Sequence, residues 1–110
     1  MIVTDQGSSG DKAAIAEIDR LIHEPARLVI MAHLYVVDSA DFIYLMRQTG
    51  LTWGNLSAHI TRLEEGGYLQ MEKGFNGRKP YTMLHLTERG RKAFQDYRQY
   101  MIAMLNSLPG

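Results

Sequence analysis

No cysteine occurs among the 110 residues. Disulfide staples, thiolate catalysis, zinc–cysteine sites and cysteine redox switches are therefore excluded together. Long apolar runs are missing as well: the longest clean one, Leu28 to Ala32, ends at His33 and is far too short to cross a bilayer. No basic-then-apolar leader opens the chain, so the simplest expectation is a cytoplasmic protein with no membrane partner. The histidines 23, 33, 59 and 85 are scattered without ligand spacing, and no metal or other cofactor is expected. Nothing assembles a nucleophile, a base and oxyanion donors, or a glycine-rich phosphate loop, so no enzyme is expected either.

Net charge is the last absence, with 12 Lys and Arg against 12 Asp and Glu. Its distribution is uneven. Residues 1–61 carry four basic and seven acidic side chains, whereas residues 62–92 carry seven basic and four acidic ones. Positive charge is thus concentrated where a polyanion would be met, which matters more than the balance.

What is present suits one globular unit. A 45% hydrophobic and 22% charged composition is ordinary for a soluble domain, and the length allows one core. Residues 1–10, ending Gln6-Gly7-Ser8-Ser9-Gly10, read as a flexible tail. Residues 11–110 read as a single domain.

From Asp11, a plausible N-cap, Ile15, Ile18 and Ile22 recur at helical spacing and predict a short amphipathic helix. Pro25 restarts the chain as the first residue of a second helix, reaching about Val37 and apolar on nearly every side, as expected where core or a second subunit covers it. Asp38, Ser39 and Asp41 offer turn and capping chemistry before a third helix, Phe42 to Gln48. After Thr49-Gly50-Leu51, Thr52 can cap a fourth helix by accepting from the amide of residue 54 or 55. In that helix Leu56, Ile60 and Leu63 form one stripe. The opposite side carries Gly54, Asn55, Ala58, Thr61 and Arg62, with His59 on its shoulder. Small hydrogen-bonding residues there allow close approach to base edges, where an idle solvent face would carry bulky charge.

Gly66-Gly67 ends this helix. Two strands are expected, Tyr68 to Phe75 and Arg78 to Leu86, joined through Asn76-Gly77 in a type I′ turn, with Pro80 marking an edge. Thr87 caps the last helix, in which Phe94, Tyr97, Met101, Met104 and Leu108 form a heptad seam about two repeats long. The fold class is therefore α+β, mostly α: a winged helix-turn-helix with flanking N- and C-terminal dimerisation helices. Ile15, Ile18 and Ile22 are expected to join the heptad residues in dimerisation.

Six stretches kept in order over residues 15–105 resemble the compact MarR-like regulators of bacteria and archaea. They are residues 21–28, Ala40-Asp41-Phe42, residues 49–52, residues 54–59, residues 63–68 and residues 86–91. The resemblance implies a homodimer that binds a near-palindromic operator in double-stranded DNA and regulates transcription. In this family the wing tip often reads Asp-x-Arg; Asn76-Gly77-Arg78 keeps the arginine and lacks the aspartate. Trp53 stands where smaller residues are usual, and its side of the helix wheel predicts packing against the preceding helix.

The expected DNA contacts are Thr52, Asn55, Ser57, Ala58, His59 and Arg62 on the fourth helix, with Lys73, Arg78 and Lys79 on the hairpin. Arg62 is suited to guanine, Asn55 to adenine or phosphate, and Ser57 and Thr52 to phosphate. For Lys73 the solvated and phosphate-facing readings balance. The seven methionines and the terminal aromatics either pack the core, the default at helical spacing, or line a pocket for a small-molecule effector. The rival reading is a winged-helix protein-interaction module without DNA binding.

Overall fold

A computed structural model of the chain describes residues 18–109. The N-terminal tail, the cap at Asp11 and Ile15 lie outside these residues. Four helices are described, α1 (Pro25–Val36), α2 (Phe42–Thr49), α3 (Trp53–Glu65) and α4 (Glu88–Asn106), with strands β1 (Ala40–Asp41), β2 (Leu69–Asn76) and β3 (Lys79–Leu86). This is a winged helix-turn-helix: α2 and α3 form the turn motif, and β2 and β3 the wing.

Each helix starts where its sequence supplies an acceptor for orphan amides. The Glu24 carboxylate accepts from Arg27 N ahead of Pro25, Asp41 accepts from Ile43 N and Tyr44 N, Thr52 from Asn55 N, and Thr87 from Gly90 N. The end of α3 is fixed by Gly67, whose φ of 82° lies in the left-handed region. Gly67 N donates to Glu64 O and Tyr68 N to Leu63 O, the paired bonds of a Schellman stop.

The sheet has the order β1-β3-β2, antiparallel throughout. The short strand β1 was not legible in the sequence. It makes β3 the central strand, although β1 reaches only Leu84 and Met83. At Pro80 the far edge of β3 is therefore open, so the proline sits where a missing N–H costs nothing. The wing turn corrects a second expectation. Asn76 pairs with Lys79 across the ladder, leaving Gly77-Arg78 as the two-residue loop. Gly77 has φ 68° and no non-glycine residue among those described has positive φ. Positive φ at the first loop position alone fits a type II′ turn, not type I′, which needs it at both.

One core fills the space between the layers. Ile30, Met31 and Leu34 of α1, Leu45 of α2, and Leu56, Ile60 and Leu63 of α3 are fully buried, with Leu69 and Leu84 of the sheet. Residues 18–24 are turn and bend rather than helix, so the expected N-terminal helix does not extend through Ile18 and Ile22. Their apolar spacing is used differently: Ile22 is completely buried in this chain's own core, and Ile18 packs against it. Phe94 and Tyr97 of α4 are buried in the same core. Three residues expected at a subunit interface, Ile22, Phe94 and Tyr97, are thus already covered within one chain.

Candidate nucleic-acid interface

The stripe of Leu56, Ile60 and Leu63 turns α3 so that its other side faces solvent, and Gly54, Asn55, Ala58, Thr61 and Arg62 are exposed there. The Thr52 hydroxyl is used by Asn55 N at 3.2 Å, yet a hydroxyl that accepts once still has its own proton to donate. Ser57 is half-buried.

His59 is placed differently from the rest. Its Nδ1 lies 3.3 Å from Arg27 Nη1 and 3.9 Å from Glu24 Oε1, and the ring is largely covered. The Arg27 backbone amide, with smaller help from the charges of His59 and Arg27, holds the Glu24 carboxyl below its ordinary range, against the opposing pull of burial. The structure therefore ties His59 to the start of α1 and does not bring it to the open face with Asn55 and Arg62. No sequence signal marks this contact, which spans 32 positions.

The concentration of positive charge in residues 62–92 also divides in space. Arg89 lies over the Tyr68 ring at 5.8 Å. Arg91 donates to Tyr35 O at 3.3 Å and approaches Asp38 at 3.6 Å, and Lys92 pairs with Asp96 at 3.0 Å. These three serve α4 and its packing. Arg62 on α3 and Lys73, Arg78 and Lys79 on the wing make no ion pair among the described residues and are exposed. Arg47 of α2, which the sequence did not single out, joins them as a fifth exposed cation.

Trp53 opens α3 and stacks at a tilt on Phe42 of the preceding helix, with centroids 4.3 Å apart at 47°. That is the expected packing, but it covers only part of the ring, and 59% of the residue remains exposed.

A sequence profile of the winged helix DNA-binding domain matches residues 26–105, a span running from α1 through α3 and the wing to most of α4. The chain belongs to this family. Among relatives of this winged-helix protein, an uncharacterized protein of Methanocaldococcus jannaschii is 33% identical over 78 residues, covering 71% of this chain and 85% of its own. The solved transcriptional regulator homologue of Pyrococcus horikoshii OT3 superposes with a TM-score of 0.83 at 28% identity, over 89% of this chain and 99% of that one. A MarR-family regulator of Enterococcus faecalis V583 shares the fold with a TM-score of 0.66 at 22% identity, over 91% of this chain and 86% of that one. The winged-helix reading of the sequence is supported by the family and by these folds, and the family is not one of enzymes. No described helix is long and apolar enough to cross a membrane.

Proposed function

We propose that this winged-helix protein is a homodimeric, MarR-like transcriptional regulator. It lays α3 in the major groove of each half of a near-palindromic operator and sets the wing tip on the adjacent minor groove or its phosphates. The observation that carries this reading is the side of α3 left open by its buried stripe: mostly small and polar, carrying the unpaired cation Arg62, and followed in the chain by a wing with unpaired Arg78 and Lys79. Bulky or paired side chains there would hold base edges off. The two reading helices would be spaced by about one duplex turn, about 34 Å, so that two weak half-site contacts act as one site.

The dimer contact is assigned to the C-terminal end of α4, where Met104 is half-exposed, and to Leu108, which the expected seam put on the helix but which lies exposed just past its end at Asn106. A small effector, if the protein takes one, has a recess of about 640 Å³ between the start of α1 and α3, lined by Glu24, Val29, Leu51, Asn55 and His59. Occupancy there would act directly on the reading helix.

Selection of bound duplexes from a random pool is the test. Enrichment of a short palindrome is expected. On that duplex Arg62→Ala should cost about 1 to 3 kcal/mol and blur sequence preference, whereas Lys79→Ala should weaken all sequences alike and lower the salt slope by about one. No enrichment at low salt would favour a protein-interaction module instead.

A further inference from the structure

A helix in one groove and a wing in the next must straddle the sugar–phosphate strand that separates them. Between the start of α2, Trp53 at the first position of α3, and the wing lies a groove of about 1070 Å³, lined by Phe42, Arg47, Trp53, Phe75, Lys79 and Tyr81 among others. It is unusually aromatic for an open surface: Trp53 is 59%, Phe75 72% and Tyr81 38% exposed. The Trp53 indole N–H makes no hydrogen bond among the described residues, and Arg47 and Lys79 bring two unpaired cations to the same walls. Of the two carboxylates lining it, Asp41 is turned inward to the first amides of α2, accepting at 2.6 and 3.2 Å. Glu72 is exposed and without an ion pair among the described residues, so the lining sets two cations against two carboxylates, of which only the Asp41 charge is held by helix amides.

Resting on the DNA-binding reading above, we propose that this groove is a saddle for one phosphodiester strand. Trp53 and Phe75 pack on deoxyribose, the indole N–H donates to a phosphate oxygen, and Arg47 and Lys79 flank the charge. The occupant follows from two things: the groove runs from Trp53 at the start of α3 to the wing tip at Lys79, and its exposed aromatic rings beside Arg47 and Lys79 match the apolar sugars and the charge of such a strand. Trp53 thereby acquires a role that core packing alone leaves unexplained, since most of its ring is not in the core.

Trp53 is the single tryptophan, so fluorescence reports this position alone. The full chain is titrated with a labelled duplex recovered from the random-pool selection, following label anisotropy for binding and acrylamide quenching for access to the indole. At saturation the quenching constant is expected to fall by about threefold or more, as burial of an exposed ring requires. Trp53→Phe, which keeps an aromatic on Phe42, should retain the thermal midpoint and weaken selected and unrelated duplexes by the same factor, about three- to tenfold. Arg47→Ala should lower the salt slope by about one.

A rise in anisotropy with unchanged quenching overturns the saddle while leaving the DNA-binding reading intact. A fall in quenching on raising protein concentration without DNA assigns the groove to a second copy and also overturns it. No rise in anisotropy with any duplex removes the reading itself, and the saddle with it.

Discussion

The two ends of α4 share one heptad seam and meet opposite fates. Toward its start, Phe94 and Tyr97 are buried by α1 and the rest of the core, with Tyr35 stacked on Phe94 at 5.0 Å. Toward its end, Met101 and Met104 are half-buried, and Leu108, just past the helix end at Asn106, is exposed. Spacing of apolar residues announces that a stripe seeks cover; it does not say which surface supplies the cover. The inner half is a folding element of one chain, and the outer half is the proposed contact between two.

The largest effect that separates the halves is expected from Phe94→Ala. It should destabilise the fold by about 3 to 5 kcal/mol, as loss of a buried aromatic does, with a denaturation midpoint shift that is the same at low and high protein concentration. A concentration-dependent shift would mean that Phe94 belongs to the interface after all.

Gly90→Ala probes how tightly the inner half is seated. A Cβ there would meet Tyr68 O at 2.1 Å, a backbone atom that cannot swing aside, so α4 must lift from the start of β2. Overpacking of this kind should cost about 3 kcal/mol, read by the same denaturation curves.

The double change Met104→Asp with Leu108→Asp attacks the outer half only. Sedimentation should show a shift from dimer to monomer, while helicity is retained and the unfolding of the monomer moves by no more than about 1 kcal/mol. A dimer that survives would place the interface elsewhere.

The smallest effect is a matter of pH. Burial, with the Tyr68 hydroxyl donating to Asp19 Oδ2 at 2.5 Å, raises the Tyr68 pKa from 10.0 to about 12. Because the folded state holds its proton longer than the unfolded chain does, the contribution is complete below pH 10 and is lost as pH rises toward 12. In the parent protein, this loss should amount to about 1 to 2 kcal/mol after solvent screening, and Tyr68→Phe should flatten it. Since Tyr68 anchors the segment against which the start of α4 packs, the loss should register at the inner half and leave the association of the outer half unchanged.

Much of the fold was legible because local chemistry and global packing agree. The caps at Asp41, Thr52 and Thr87, the glycine stop after Glu65, and the stripe of Leu56, Ile60 and Leu63 are each specified within a few residues, so propensity and spacing reveal them. The open side of α3 was legible for the same reason, being what such a stripe leaves over. A two-residue strand such as β1 carries no period at all. The turn type escaped because Asn76 enters the ladder and passes the loop position to Gly77, a choice of register made by cross-strand pairing.

The sequence by itself determined where α1 to α4 begin and where α3 ends, which side of α3 must be buried, and that a positively charged hairpin follows it, because those properties depend on neighbours within one or two turns. Only the tertiary structure decided that His59 answers to Arg27 and Glu24, that three of the seven basic residues between 62 and 92 are engaged at α4, and that Ile22, Phe94 and Tyr97 are covered within the chain. Those outcomes depend on which distant elements pack together, and burial and charge pairing act through space without regard to separation along the chain.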